Sequence, residues 1–252
     1  MSRLLLVRHG QSKWNLANKF TGWIDVSISE KGIKQCLYLA EKLKRLKIDY
    51  TFCSELSRAK ETMSVILSKQ KHSGVYIHEE KPNYNWQDII KYPSKIPNIA
   101  IYTTENLNER SYGELQGMDK NEARKKYGEE QVFNWRRGFH ERPPKGESLQ
   151  DVYNRTVPYL KKRIIPLLKQ NKNIIISAHG NSLRSIIKYI EGISDEKIPQ
   201  LELYTGQLIT YHFENNEFKS QLDKLSFNRP ISWKKISKDI RPKHIFNSLL
   251  KK

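Results

Sequence analysis

Residues 6–10 read Leu-Val-Arg-His-Gly, and residues 174–180 read Ile-Ile-Ile-Ser-Ala-His-Gly. Each is an apolar run that stops at a His-Gly pair. A short, continuously apolar run is the pattern of a strand buried on both faces. Two such strands in one sheet deliver two imidazoles to one sheet edge, where ligands of α/β proteins bind. Near neutral pH an imidazole can act as nucleophile, base or cation. Arg8, beside His9, adds a planar donor suited to phosphate.

Outward from these strands the chain alternates. Residues 50–53 (Tyr-Thr-Phe-Cys) predict a strand, and residues 207–213 another. Between them, Ile33, Cys36, Leu37, Ala40 and Leu43 recur at helical spacing after a start at Ser27 or Ser29. Ala59, Met63, Ile66 and Leu67 do the same after Ser54 or Ser57, either of which can cap a helix. Residues 147–168 and Ser182 to Ile190 complete the helical set. The expected class is α/β, a three-layer α/β/α fold with a mostly parallel central sheet. One catalytic domain is expected over residues 1–225. Residues 72–98, with Pro82, Pro93, Pro97 and no clear period, predict a surface insertion. Residues 226–252 predict a basic C-terminal tail, with eight Lys or Arg against Asp239 between Arg229 and Lys252.

Composition narrows the function. The formal net charge is +18 over 252 residues, which favours anionic partners. The lysines are not interleaved with base-stacking aromatics in any nucleic-acid module, which argues against nucleic acid. No apolar run reaches the roughly 18 residues needed to span a membrane, and no signal-peptide pattern opens the chain. Cys36 and Cys53 make no disulfide framework, so a cytoplasmic location with two buried thiols is expected.

Three segments at predicted strand ends carry phosphate chemistry. Gly10 lets the chain turn tightly after His9. Arg58 falls in the first turn of a helix, where a cation opposes the helix dipole unless an anion lies between. His179-Gly180-Asn181-Ser182 opens another helix, whose free N–H groups suit an anion.

In this order and spacing, the motifs resemble the cofactor-dependent phosphoglycerate mutases of the histidine phosphatase superfamily. Leu-Val-Arg-His-Gly-Gln-Ser-Lys-Trp-Asn (6–15) resembles the family's opening signature, followed by Phe20-Thr21-Gly22-Trp23 and Asp25-Val26. Leu107-Asn108-Glu109-Arg110, Tyr112-Gly113, Leu115-Gln116-Gly117 and Lys120 resemble its acid/base loop. Trp135-Arg136-Arg137 continues it, and Ala178 to Arg184 resembles the second histidine motif. The likeness runs from about residue 2 to 215. The short stretch from Arg137 to Glu147 is like that of the short, bacterial-type subgroup. Ser111 stands where the family usually has histidine.

The resemblance implies interconversion of 3- and 2-phosphoglycerate in glycolysis and gluconeogenesis, primed by 2,3-bisphosphoglycerate and without a metal. By that likeness His9 is the phosphoryl-carrying nucleophile. His179, Arg8 and Arg58 stabilise the group in flight, and Glu109 is the acid/base. Arg110, Tyr112, Lys120, Arg136 and Arg137 hold the carboxylate and the non-reacting phosphate. Ser12, Asn15, Thr21, Gly22, Gly180 and Asn181 supply neutral donors. Gly10, Gln11, Lys13, Trp14 and Ser111, within the same motifs, join the binding set. The expected partner is a small phosphorylated substrate, with no membrane; a homodimer is compatible with the likeness but not required by it. Two rivals remain: a phosphatase of the same superfamily, and a basic anion- or nucleic-acid-binding protein built on the fold.

Overall fold

Strand β1 (Ser2–Arg8) shows how the layers arise. Successive side chains on a strand point to opposite faces. Leu4 and Leu6 enter one apolar cluster, and Leu5 and Val7 the other. Strand β5 (Ile174–Ala178) repeats the split: Ile174 and Ile176 join the first cluster, Ile175 the second. Both faces of this sheet are therefore covered. Helices α2 (Glu30–Leu43) and α3 (Ser57–Leu67) cover one through Leu39, Leu43, Met63 and Ile66. Helices α6 (Leu149–Tyr159), α7 (Ile165–Lys169) and α8 (Gly180–Glu191) cover the other through Leu149, Val152, Leu168, Leu183 and Ile186.

The computed structural model describes residues 1–80, 96–221 and 225–227. The main sheet has seven strands in the order β3-β4-β2-β5-β1-β7-β8. These add β2 (Tyr50–Ser54), β3 (Ser73–His78), β4 (Asn98–Thr104), β7 (Leu208–Glu214) and β8 (Glu217–Phe218); the short strand β6 (Leu201–Glu202) lies outside this sheet. Strands β3, β4, β2, β5 and β1 run parallel, and β7 and β8 are antiparallel additions at one edge. The expected three-layer, mostly parallel α/β class is the one observed.

Local differences from the sequence reading have physical causes. Residues 73–78, inside the stretch read as an insertion, form the edge strand β3 on β4. Its burial is partial and Gly74 interrupts it, so no period shows. Residues 81–95 of that stretch, and residues 228–252 of the basic tail, lie outside the described residues. Neither Ser54 nor Ser57 caps α3; Leu56 holds that position without a side-chain cap. The helix read over 147–168 starts from a capping box between Ser148 and Asp151. It then loosens into a π turn at Leu160–Ile164 between Pro158 and Pro166, since proline lacks the N–H that would continue the α ladder.

A smaller apolar cluster, Phe20, Leu115, Ala123 and Val132, lies off the sheet. It joins the loop after the short helix α1 (Lys13–Leu16) to α4 (Lys120–Tyr127) and α5 (Glu129–Arg137). The close approach of β1 to α2 also shapes this region. A Cβ on Gly10 would lie 2.7 Å from the Gly32 carbonyl oxygen and 2.8 Å from Cys36 Sγ. Glycine here is a packing requirement.

Candidate active site

The parallel register Arg8↔Ala178 brings the next residues of β1 and β5, His9 and His179, side by side. Their ring centroids are 4.9 Å apart. His9 is buried, and its Nδ1 lies 2.7 Å from the Gly10 carbonyl oxygen. A carbonyl only accepts, so Nδ1 carries the proton and the lone pair is on Nε2. Burial first, then the charges of Arg58 and Arg8, hold the His9 imidazole well below its usual range. It is therefore neutral near pH 7, as a nucleophilic nitrogen must be. His179, also buried, is held low by burial, then by Arg58 and His9.

Two arginines flank the pair. Arg58, on the first turn of α3, is 1 % exposed. It donates to the carbonyls of Gly22 (2.7 Å) and Ile24 (3.0 Å). Burial pushes its guanidinium down to about 10, opposed by the charge of Glu109. Gly22 accepts this contact from a left-handed turn (φ +55°), where a Cβ would strike Gln116 Oε1 at 2.0 Å. Arg8 is fixed by the Leu203 carbonyl, while its Nε is buried without a partner among the described residues.

Glu109 lies near the same two arginines. Its Oε1 accepts from the backbone N–H of Arg110 (2.8 Å), the backbone N–H of Asn181 (3.2 Å) and Asn181 Nδ2 (2.8 Å). Its Oε2 faces Gly180 and Arg8: a Cβ on Gly180 would be 3.7 Å from it and 3.6 Å from Arg8 Cζ. One oxygen is thus anchored and the other is aimed at the space between the cations. A cleft of about 100 Å³ opens there, walled among others by Arg8, Glu109, Tyr112, Arg136, Gly180 and Arg184. A larger hollow of about 380 Å³ beside Tyr153 and Lys162 has neither a histidine nor a carboxylate in its lining.

Beyond Glu109 the cleft becomes a cationic cradle. Arg110 is fully buried, donates to the Arg136 carbonyl (2.6 Å) and Asn181 Oδ1 (3.0 Å), and leaves Nε and Nη1 unpartnered among the described residues. Arg136 and Lys120 contribute charge to the same cradle. Burial pushes the Lys120 amine down to about 7, helped by the charges of Arg136 and Arg8. Tyr112 OH accepts from Asn181 Nδ2 at 3.2 Å. Thr21 Oγ1 is buried without a partner among the described residues. Unpartnered buried donors from several directions fit an anion with many oxygens.

Several expected ligand residues have other employment. Ser12 Oγ accepts the Asn15 N–H and Asn15 Oδ1 accepts the Ser12 N–H, a reciprocal cap for α1. The Gln11 side chain accepts from Ser29, the cap of α2. Lys13 is exposed, and the Trp14 ring packs under Lys19 Nζ at 5.6 Å. The Ser111 N–H donates to Glu147. Arg137, though at the cleft, donates to the carbonyls of Pro199 (2.9 Å) and Leu201 (2.7 Å) and pairs with Glu202. It braces the far wall.

Other residues in and behind the site were absent from the candidate set. Arg184, buried, donates to Asn181 Oδ1 (3.0 Å) and to the carbonyls of Arg137 and Ile198. Its place inside the Ala178–Arg184 motif was the available signal. Trp23 Nε1 donates to the Glu109 carbonyl at 2.6 Å, and Arg155 Nη2 to the same oxygen at 2.9 Å. Arg155 is itself paired with Glu147. These contacts join distant segments, so the motif that contains Trp23 does not reveal its partner and none points to Arg155.

A family model for the histidine phosphatase superfamily (branch 1) matches residues 4–85 and 87–224. The chain belongs to the histidine phosphatase superfamily. Within it, proteins named 2,3-bisphosphoglycerate-dependent phosphoglycerate mutase are similar over nearly their whole length. That of Methanosarcina mazei is 45 % identical over 227 residues, 88 % of this chain and 94 % of the relative. That of Protochlamydia amoebophila is 45 % identical over 226 residues, 88 % and 99 %. The superfamily fold is also seen in Bacillus stearothermophilus YhfR, with TM-score 0.69, 20 % identity and 88 % and 96 % coverage. A mycobacterial glucosyl-3-phosphoglycerate phosphatase has TM-score 0.66 at 20 % identity, covering 90 % of this chain and 98 % of its own. Among the described residues no helix is long and apolar enough to cross a membrane.

Proposed function

We propose that the chain interconverts 3- and 2-phosphoglycerate through a phosphohistidine on His9. The observation that carries this reading is the pair of arginines, Arg8 and Arg58, that His9 and Glu109 share. A buried, neutral His9 has its lone pair on Nε2 in the field of these arginines, and Glu109, near the same two, has one anchored carboxylate oxygen and one without a hydrogen bond among the described residues.

Phosphoryl transfer needs positioning and charge stabilisation more than covalent assistance. Nε2 of His9 attacks phosphorus while Arg8, Arg58 and His179 neutralise the equatorial oxygens. Glu109 Oε2 gives a proton to the leaving hydroxyl and takes it back from the attacking one in the reverse step. Arg110, Arg136 and Lys120 bind the carboxylate and the non-reacting phosphate, which keeps the intermediate in place for return transfer to carbon oxygen rather than water. Thr21, Gly22, Gly180, Asn181 and Tyr112 line the same ligand.

The unpartnered donors on Arg8, Arg110 and Thr21 suit 2,3-bisphosphoglycerate, which has a carboxylate and two phosphates. When bound, it supplies the phosphoryl group that charges His9. The reaction as drawn uses no metal. The buried thiols of Cys36 and Cys53 fit a reducing cytoplasm.

The test is incubation with 2,3-bisphosphoglycerate followed by mass spectrometry, with mutase flux and phosphate release measured on one sample. Phosphate on His9, with flux well above release, is expected. His9→Ala should lose both the label and the flux. Release exceeding flux would make the chain a phosphatase instead.

A further inference from the structure

The two histidines are held by different partners. His9 is oriented by a backbone carbonyl; His179 is held by a side chain. Ser54 Oγ lies 2.6 Å from His179 Nε2, and both residues are fully buried. Ser54 ends β2, which pairs with β5 in the register Cys53↔Ser177, so its hydroxyl arrives beside the end of β5. We propose that Ser54 is a positioning residue that fixes His179 as the Nδ1–H tautomer and makes it a neutral donor to the transferring phosphoryl group. This rests on the phosphoryl-transfer reading given above.

The argument is a count of protons. The Leu56 N–H donates to Ser54 Oγ at 3.3 Å, so that oxygen already accepts once. A hydroxyl has one proton to give. Nε2 is the acceptor in line, and no other contact of Ser54 Oγ is formed among the described residues. With Nε2 accepting, the neutral ring carries its proton on Nδ1. That nitrogen is buried and has no partner among the described residues. Its ring stands against His9, the proposed site of the phosphoryl group. An Nδ1–H there meets an incoming oxygen, whereas a lone pair there would repel it. A neutral donor also avoids placing a third cation beside Arg8 and Arg58 before the substrate arrives. Ser54 thus spares α3 its hydroxyl as a cap and gives it to the imidazole.

The test uses the full chain with histidine rings labelled with nitrogen-15, read by NMR without substrate. In the wild type, His179 should show a protonated Nδ1 and a bare Nε2. In Ser54→Ala the proton should move to Nε2 in a large fraction of molecules. The rate of His9 phosphorylation and kcat should fall about 100-fold, the usual cost of losing one preorganised donor, with KM moving less than about two-fold. Ser54→Thr, which keeps the hydroxyl, should restore the wild-type ring pattern. A wild-type spectrum with the proton on Nε2 would overturn the proposal even if no variant folds. So would a Ser54→Ala spectrum identical to the wild type. Because the ring spectrum involves no substrate, it stands apart from whether the enzyme is a mutase.

Discussion

Arg58, Arg110 and Arg184 are 1 %, 0 % and 2 % exposed, and their bonds go mainly to backbone carbonyls and Asn181. Dehydrating a guanidinium costs several kcal/mol unless a counter-charge offsets it. Glu109 is the carboxylate whose charge favours both Arg58 and Arg110 in their charged forms. The residual positive field is left for a ligand. Replacing Glu109 by Gln keeps the shape and removes the titrating oxygen. Steady-state kinetics should show kcat lower by about 10²- to 10⁴-fold with KM little changed; unaltered kcat would remove Glu109 from proton transfer. Lys120 gives a second residue-scale expectation. Its amine is pushed down to about 7, so it is charged below that pH and neutral above. Since kcat/KM reports the free enzyme, it should decline for the phosphorylated substrate as pH rises through about 7. Lys120→Arg should abolish that limb, because arginine stays charged. The acid limb from His9 should lie well below pH 6.5, the direction in which burial shifts that imidazole.

Elements differ in how plainly the sequence announces them. Leu4 to Val7 and Ile174 to Ile176 are buried on both faces, so uninterrupted apolar runs betray β1 and β5 and, with them, His9 and His179. The edge strand β3 is half exposed and carries Gly74, so it lies hidden in an apparent insertion, and its partner β4, which begins where that stretch ends, alternates only partly. Glu109 was legible through its neighbours in the motif, not through its own residue type. Ser54, Trp23, Glu147 and Arg155 act across 36 to 125 residues of chain, and such pairings exist only once the fold has formed. Arg155, on α6, shows what such a link holds. It donates to the carbonyls of Glu105, Asn106 and Glu109 and pairs with Glu147, whose carboxylate accepts the Ser111 N–H. Helix α6 thereby fixes the loop that carries Glu109, the proposed acid/base. Arg155→Ala should cost roughly 2–3 kcal/mol in urea unfolding, the scale of hydrogen bonds to a charged group, and should lower kcat. Full activity in a destabilised variant would show that the loop holds its geometry without α6.

At the scale of the molecule, a net charge of +18 and a cleft of poorly compensated cations both disfavour the ligand-free fold. They predict different salt behaviour. Bulk repulsion is relieved by any screening ion, whereas the cradle responds to an anion shaped for it. Binding to the native state alone adds RT ln(1 + [L]/Kd), about 2.7 kcal/mol at a hundred times Kd. For a domain of this size each kcal/mol moves Tm by about 2–4 °C. 2,3-Bisphosphoglycerate at saturation should therefore raise Tm by roughly 5–10 °C over chloride at equal ionic strength. Arg110→Met removes one cradle cation whose Nε and Nη1 await a partner, and should lose most of that increment. Lys161→Met removes the same unit of charge from α6's continuation, beside Tyr189 and away from the cleft, and should keep it. Equal losses in the two variants would assign the stabilisation to net charge. A loss confined to Arg110→Met would mean that the buried cations are held in readiness for the anion that His9 and Glu109 act upon.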